Sequence, residues 1–171
     1  LLNREGRGSE AERDLREHLR RSPDSPKGQA QLAVALLAQE RYADAVEVLR
    51  RALQSKPTWA ELHFNLGFAL AHLARNDEAI DAFRDTLRLV HESYRLPIYV
   101  LENGCGSFDR PDATGAVVDP DRIEFLRAYI GAMNTAAGGG VDVRGYFIWS
   151  LLDNFEWASG SSERFGLTYV D

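Results

Sequence analysis

Apolar residues in the first half of the chain recur at helical spacing, and the pattern returns every 34 residues. Leu62, Leu66, Leu70 and Leu73 fall on one face of a helix. Ala11, Ala45 and Ala79 are 34 apart, Leu15, Leu49 and Phe83 follow four residues later, and Leu19, Leu53 and Leu87 continue the series. Pro23 and Pro57 repeat at the same interval, and neither can extend a preceding helix because proline lacks the amide hydrogen and clashes with the turn before it. Lys56 sits where a basic residue complements a helix C-terminus. Gly67 stands where a neighbouring helix must come close, with Ala33 in that place one unit earlier. Thr86 and His91 stand where the preceding unit has Ala52 and Pro57, which predicts that the helical array stops near residue 91.

From Leu96 the period changes. Pro97-Ile98-Tyr99-Val100-Leu101 is a short apolar run of β-branched and aromatic character, and it predicts a strand buried on both faces. A loop rich in Gly, Asp and Pro follows from Asn103 to Asp119. Asp119 before Pro120 reads as an N-cap and first-turn proline, with Ile123, Leu126, Ile130 and Met133 as the buried stripe and Gly138-Gly139-Gly140 as the stop. A second run, Val143 to Trp149, completes a strand, helix, strand unit whose strands should be parallel with a right-handed crossover. The expected fold class is α + α/β, with a helical array over residues 1–91 and the strand-helix-strand unit within 92–171.

Parallel strands end on one side, where ligand sites gather. Glu102 ends the first strand, and Trp149, Glu156 and Trp157 lie at and beyond the end of the second. Carboxylates beside indole rings suit a sugar, since the apolar face of a pyranose packs on the ring while carboxylate oxygens accept from hydroxyls. The bare residues leave a second reading open. A Glu before Asn-Gly is also an ordinary turn residue, and both tryptophans are also ordinary packing residues.

In residues 1–91, the small residue, large apolar residue, leucine and terminal proline resemble the tetratricopeptide repeat, a pair of antiparallel helices, as one half repeat and two full ones. Residues from about Leu89 to Asp171 resemble the C-terminal part of a glycoside hydrolase family 1 enzyme, the β-glucosidase group. The resemblance is carried by Pro97-Ile98-Tyr99-Val100-Leu101-Glu102-Asn103-Gly104, Asp119-Pro120-Asp121-Arg122-Ile123, Asp142-Val143-Arg144-Gly145-Tyr146-Phe147, Trp149-Ser150-Leu151-Leu152-Asp153-Asn154-Phe155-Glu156-Trp157 and Arg164-Phe165-Gly166-Leu167. It implies a truncated TIM (β/α)8 barrel, reduced to the last two strands and the helix between them. It also implies retaining hydrolysis, with Glu102 as nucleophile and Trp149, Glu156 and Trp157 binding the sugar of a neutral β-glucoside or β-galactoside. Leu101 departs from the family threonine at that place, so a hydroxyl beside the carboxylate is lost. The family's proton donor comes from an Asn-Glu-Pro motif, and no Asn-Glu-Pro occurs in these 171 residues. The chain alone is therefore expected to lack hydrolysis and to bind a β-linked sugar weakly or not at all. The alternative is a protein-protein interaction module, in which the repeats hold a peptide or protein partner in their groove through residues such as Asn65 and Arg75 and the C-terminal remnant is non-functional.

Composition narrows the partners. Residues 1–91 carry 14 basic against 14 acidic side chains, whereas residues 92–171 carry 6 against 12, which argues against a nucleic-acid groove in the second part. Cys105 is the only cysteine, and with four scattered histidines it gives no metal-ligand spacing, so no disulfide, metal or cofactor is expected. No basic-then-apolar leader opens the sequence, and no apolar run approaches the ~18–20 residues that span a bilayer. A cytoplasmic protein without a membrane partner is the expectation. Glu124 and Glu163 read as solvated residues, His18, His63, His72 and His91 as structural or exposed ones, and Cys105 as a small buried hydrophobe.

Overall fold

The computed structural model describes residues 8–107, 110–156 and 160–170. The chain divides into two compact units, Leu1–Arg95 and Leu96–Asp171. The described residues of the first form α1 (Gly8–Arg21), α2 (Pro26–Leu37), α3 (Tyr42–Ser55), α4 (Ala60–His72) and α5 (Asn76–Tyr94), each packed on the next. Their leucine stripes make the core, in which Leu36, Val46, Leu49, Leu62 and Leu70 are 2% exposed or less. Ser25 caps α2 by accepting from the Gly28 amide at 3.2 Å, ahead of Pro26 in the first turn. At Gly67 a Cβ would stand 3.4 Å from the Ala79 carbonyl oxygen and the Ala82 Cβ, so the absent side chain lets α4 and α5 close up.

The 34-residue repeat extends to individual turns. Glu40 and Ala74 both take left-handed backbone angles, φ 58° and 53°. The next residue, Arg41 or Arg75, donates its amide hydrogen to Leu36 O at 3.0 Å or Leu70 O at 2.9 Å. Each guanidinium then pairs with the carboxylate three residues on, Asp44 or Glu78. Arg75 thus sits in the turn and at the start of α5, not on the first helix of its unit as the sequence pattern suggested. Asn65 does lie on α4.

In the second unit β1 (Ile98–Asn103) and β2 (Val143–Ile148) pair in parallel, joined by α6 (Pro120–Gly138), which packs on β2. The pairing sets Tyr99 against Gly145, Val100 against Tyr146 and Asn103 against Ile148, with an irregularity between Val100 and Asn103. Tyr99 lies over Gly145, where a Cβ would be 2.7 Å from the tyrosine ring. One sheet face is half-buried through Ile98, Val100, Asn103, Tyr146 and Ile148. The other is open: Tyr99, Leu101 and Phe147 are 52%, 75% and 55% exposed. The expectation of burial on both faces of β1 fails on this side because, within the second unit, α6 packs on one face of the sheet and no described helix or strand packs on the other. The helix stripe also differs from expectation at its start, where Ile123 is exposed and Arg122 is buried. Among the described residues no helix is long and apolar enough to cross a membrane.

Leu62→Ala is expected to destabilise the first unit by about 2–5 kcal/mol, the usual cost of emptying a closed core site, whereas Phe64→Ala, at a 59% exposed position on the same helix, should cost about 0.5 kcal/mol or less. Urea titration followed by far-ultraviolet circular dichroism reads both midpoints, and equal losses would contradict the packing described.

Candidate functional site

The C-terminal ends of β1 and β2 meet directly. Trp149 N donates to Asn103 O at 3.0 Å, and a Cβ on Gly104 would fall 1.8 Å from the Trp149 carbonyl oxygen, so only glycine fits there. Glu102 precedes this junction on β1 and is exposed. Asn103 is fixed by the Tyr146 hydroxyl, which donates to its side-chain oxygen at 2.6 Å. Burial, with a smaller contribution from nearby Tyr129, pushes the Tyr146 phenol up to about 12, which keeps it a donor.

Past β2 the chain turns through a cis Trp149–Ser150 peptide. The Trp149 indole N–H donates to Glu156 Oε1 at 3.0 Å, which ties the ring edge to the carboxylate, and the residue as a whole is 38% exposed. Glu102, Trp149 and Glu156 are therefore carried by two adjoining strand ends and the loop after the second. Trp157 lies outside the described residues.

Three further residues hold these loops, and none was assigned a role from sequence. Arg122 is 4% exposed, and its Nε donates to Cys105 O at 3.2 Å, Nη1 to Gly166 O at 2.8 Å and Nη2 to Arg164 O at 2.8 Å. Nη1 also pairs with the helix-capping Asp119 carboxylate. Asp153 Oδ1 accepts from the Gly166 amide at 2.9 Å, while Oδ2 accepts from Arg164 Nη1 at 2.9 Å and the Val170 amide at 3.1 Å. Arg164 in turn lies over the Tyr169 ring, 4.0 Å from its centroid. Burial alone would raise the Asp153 carboxyl, but the Val170 amide, the Arg164 guanidinium and the Gly166 amide together hold it below its ordinary value. The available signal for Arg122 was an Arg three residues after an N-cap Asp, a spacing that the exposed pairs Arg84–Asp81 and Arg88–Asp85 share.

Glu124 is exposed, Glu163 half-buried and Cys105 half-buried rather than enclosed. Among the described residues no group of three or more His, Cys, Asp or Glu is gathered as for a metal ion. The arrangement offers one exposed carboxylate near the end of β1 and, from the adjoining end of β2, an indole held by a second carboxylate, which is hydrogen-bonding and stacking equipment for a polyhydroxylated ring.

The profile of glycosyl hydrolase family 1 matches residues 71–171, and a tetratricopeptide repeat profile matches residues 2–63 and 36–93. A bifunctional β-D-glucosidase/β-D-fucosidase of Bifidobacterium breve is 49% identical over 96 residues, which are 53% of this chain and 21% of that protein. β-Glucosidase A of Thermotoga maritima is 50% identical over 86 residues, 50% of this chain and 19% of that protein. The structure of a Thermotoga maritima β-glucosidase in complex with castanospermine superposes with a TM-score of 0.52 at 45% identity, covering 54% of this chain and 21% of that one. The chain thus spans about one-fifth of the length of these relatives.

The Asp153 contacts predict an acid-sensitive loop. Because the folded carboxyl titrates lower than its unfolded value of about 3.9, its stabilisation is complete above that value and is lost as pH falls through the folded one. The Gly166 and Val170 amide resonances should move together on acidification below about pH 4, and Asp153→Asn should abolish that joint titration. Resonances that titrate unchanged in the variant would show that another group is responsible.

Proposed function

Because the chain belongs to glycosyl hydrolase family 1 and carries tetratricopeptide repeats within residues 2–93, we propose that its second domain, residues 92–171, is the nucleophile-bearing end of a β-glycosidase barrel. In this reading β1, α6 and β2 are the last two strands of a (β/α)8 barrel and the helix between them, and residues 1–91 are a separate repeat domain. Glu102 is the nucleophile of a retaining β-glucosidase or β-galactosidase reaction, with Trp149, Glu156 and Trp157 as contacts to the glycone. The observation that supports this best is the joined strand ends, where Trp149 N bonds Asn103 O and the Trp149 indole bonds Glu156.

A retaining reaction needs two carboxyl groups about 5–5.5 Å apart, one to attack the anomeric carbon and one to protonate the departing oxygen. Residues 1–171 contain no Asn-Glu-Pro to supply the second, and loss of general acid assistance costs about 10²–10⁴-fold. The 171-residue chain alone is thus inactive, and activity requires barrel segments that bring the donor. Purified chain should not hydrolyse aryl β-glucosides or β-galactosides above a Glu102→Gln control. Added barrel strands one to six of the Thermotoga maritima β-glucosidase should produce turnover that the same substitution removes. Glu102-dependent turnover by the chain alone would overturn the assignment of the donor to missing segments, and complemented turnover that survives Glu102→Gln would overturn the nucleophile.

A second reading is favoured by a specific surface. Val34 on α2 and Phe64 and Phe68 on α4 are 44%, 59% and 46% exposed, and Phe68 meets His72 and Tyr42 in an aromatic group. On this reading the repeats are a protein-protein interaction module whose apolar strip takes an extended peptide. Such a module must fold by itself, so a fragment spanning residues 1–91 should melt in one cooperative helical transition. A gradual, non-cooperative melt would remove it as an autonomous domain.

A further inference from the structure

We propose that Arg122 is the positioning residue of the candidate glycosidase site, locking the loop that follows Glu102 to the loop that carries Trp149 and Glu156; this rests on the reading of the second domain as a glycosidase end. The geometry runs through the extended segment Arg164–Leu167. Its carbonyls at 164 and 166 accept from Arg122 at 2.8 Å each. The intervening Phe165 O accepts from Ser150 N at 3.0 Å, and Leu167 N donates to Ser150 O at 2.9 Å. Successive groups of an extended chain point to opposite sides, so one side of this segment is held by Arg122 and the other grips the residue next to Trp149.

The same guanidinium reaches Cys105 O at 3.2 Å, three residues past Glu102. Ser107 exchanges two backbone hydrogen bonds with Arg164, both 2.9 Å, and the Phe165 ring covers Gly106, where a Cβ would meet it at 2.9 Å. One planar, permanently charged group therefore fixes carbonyls on both loops at once, with Asp119 as its counter-charge. A lysine ammonium at the end of a single flexible stem supplies a point charge and cannot address the fork of acceptors at residues 105, 164 and 166 together.

Amide exchange of the full chain, read by nuclear magnetic resonance, tests this. Arg122→Lys should lower protection at least tenfold at Ser107, Ser150 and Leu167 and at the Trp149 indole N–H, while β1, β2 and the middle of α6 keep theirs. Arg122→Ala should show the same local loss, restored by methylguanidinium at sub-denaturing concentration and not by methylammonium. Unchanged protection at those four sites overturns the proposal. So does uniform loss across the second unit, or rescue by either cation, since these describe a generic stabilising charge. Glu102→Gln should leave all these values unaltered, so the positioning role and the catalytic reading fail by different measurements.

Discussion

A guanidinium taken out of water must find acceptors for its donors, and in the second unit Arg122 reaches three backbone carbonyls and the Asp119 carboxylate among the described residues. This constraint organises everything past the strands. Two parallel strands and one helix cannot by themselves satisfy the polar backbone of two long loops. The segment Arg164–Thr168 does so instead, trading hydrogen bonds with Ser107 on one loop and with Ser150 and Leu151 on the other. Asp153 completes the lattice from the loop side by taking the amides of Gly166 and Val170 and the side chain of Arg164. Removing one partner of a desolvated charge pair is costly because the other is left unpaired; here Arg122 is buried against a half-buried Asp119, and Arg164 and Asp153 are both half-buried.

The two units solve the burial problem differently. In the first, leucines and alanines from successive helices close around one another, and the largest core side chains are essentially inaccessible. In the second, Ala132, Ala136 and Val141 are buried hydrophobics, while Leu101, Phe147, Leu151 and Phe155 remain more than half exposed. The second unit is therefore held more by directed hydrogen bonds than by apolar volume.

What could be read from sequence follows from the range of the interactions. The helices were legible because the 34-residue period places Leu49 under Leu15 and Phe83 under Leu49, and that local regularity extends to the paired turns at Glu40 and Ala74. The parallel strands were legible from two apolar runs flanking a capped helix, and the meeting of Asn103 with Trp149 follows from strands that end together. Arg122 was not. The carbonyls it reaches lie 17, 42 and 44 residues away, and nothing in a local window separates a buried arginine from a solvated one. The exposed face of β1 was missed for a related reason: an apolar run signals what a strand is suited to pack against, and carries no information on whether that partner is present.

The two family profiles overlap between residues 71 and 93, and α5, Asn76–Tyr94, lies almost entirely inside the overlap. One helix lies within both matches, and it carries an apolar stripe that includes buried Ala79, Ala82 and Leu89. Such sharing imposes a condition of phase. Each added residue advances the helix by about 100°, so a single insertion between Ala82 and Leu89 would carry the leucine a quarter-turn off the stripe with composition scarcely changed. Sequences that meet within a helix are thus free to vary in identity but not in angular register, and lengths that keep register come in steps of about three, four or seven residues.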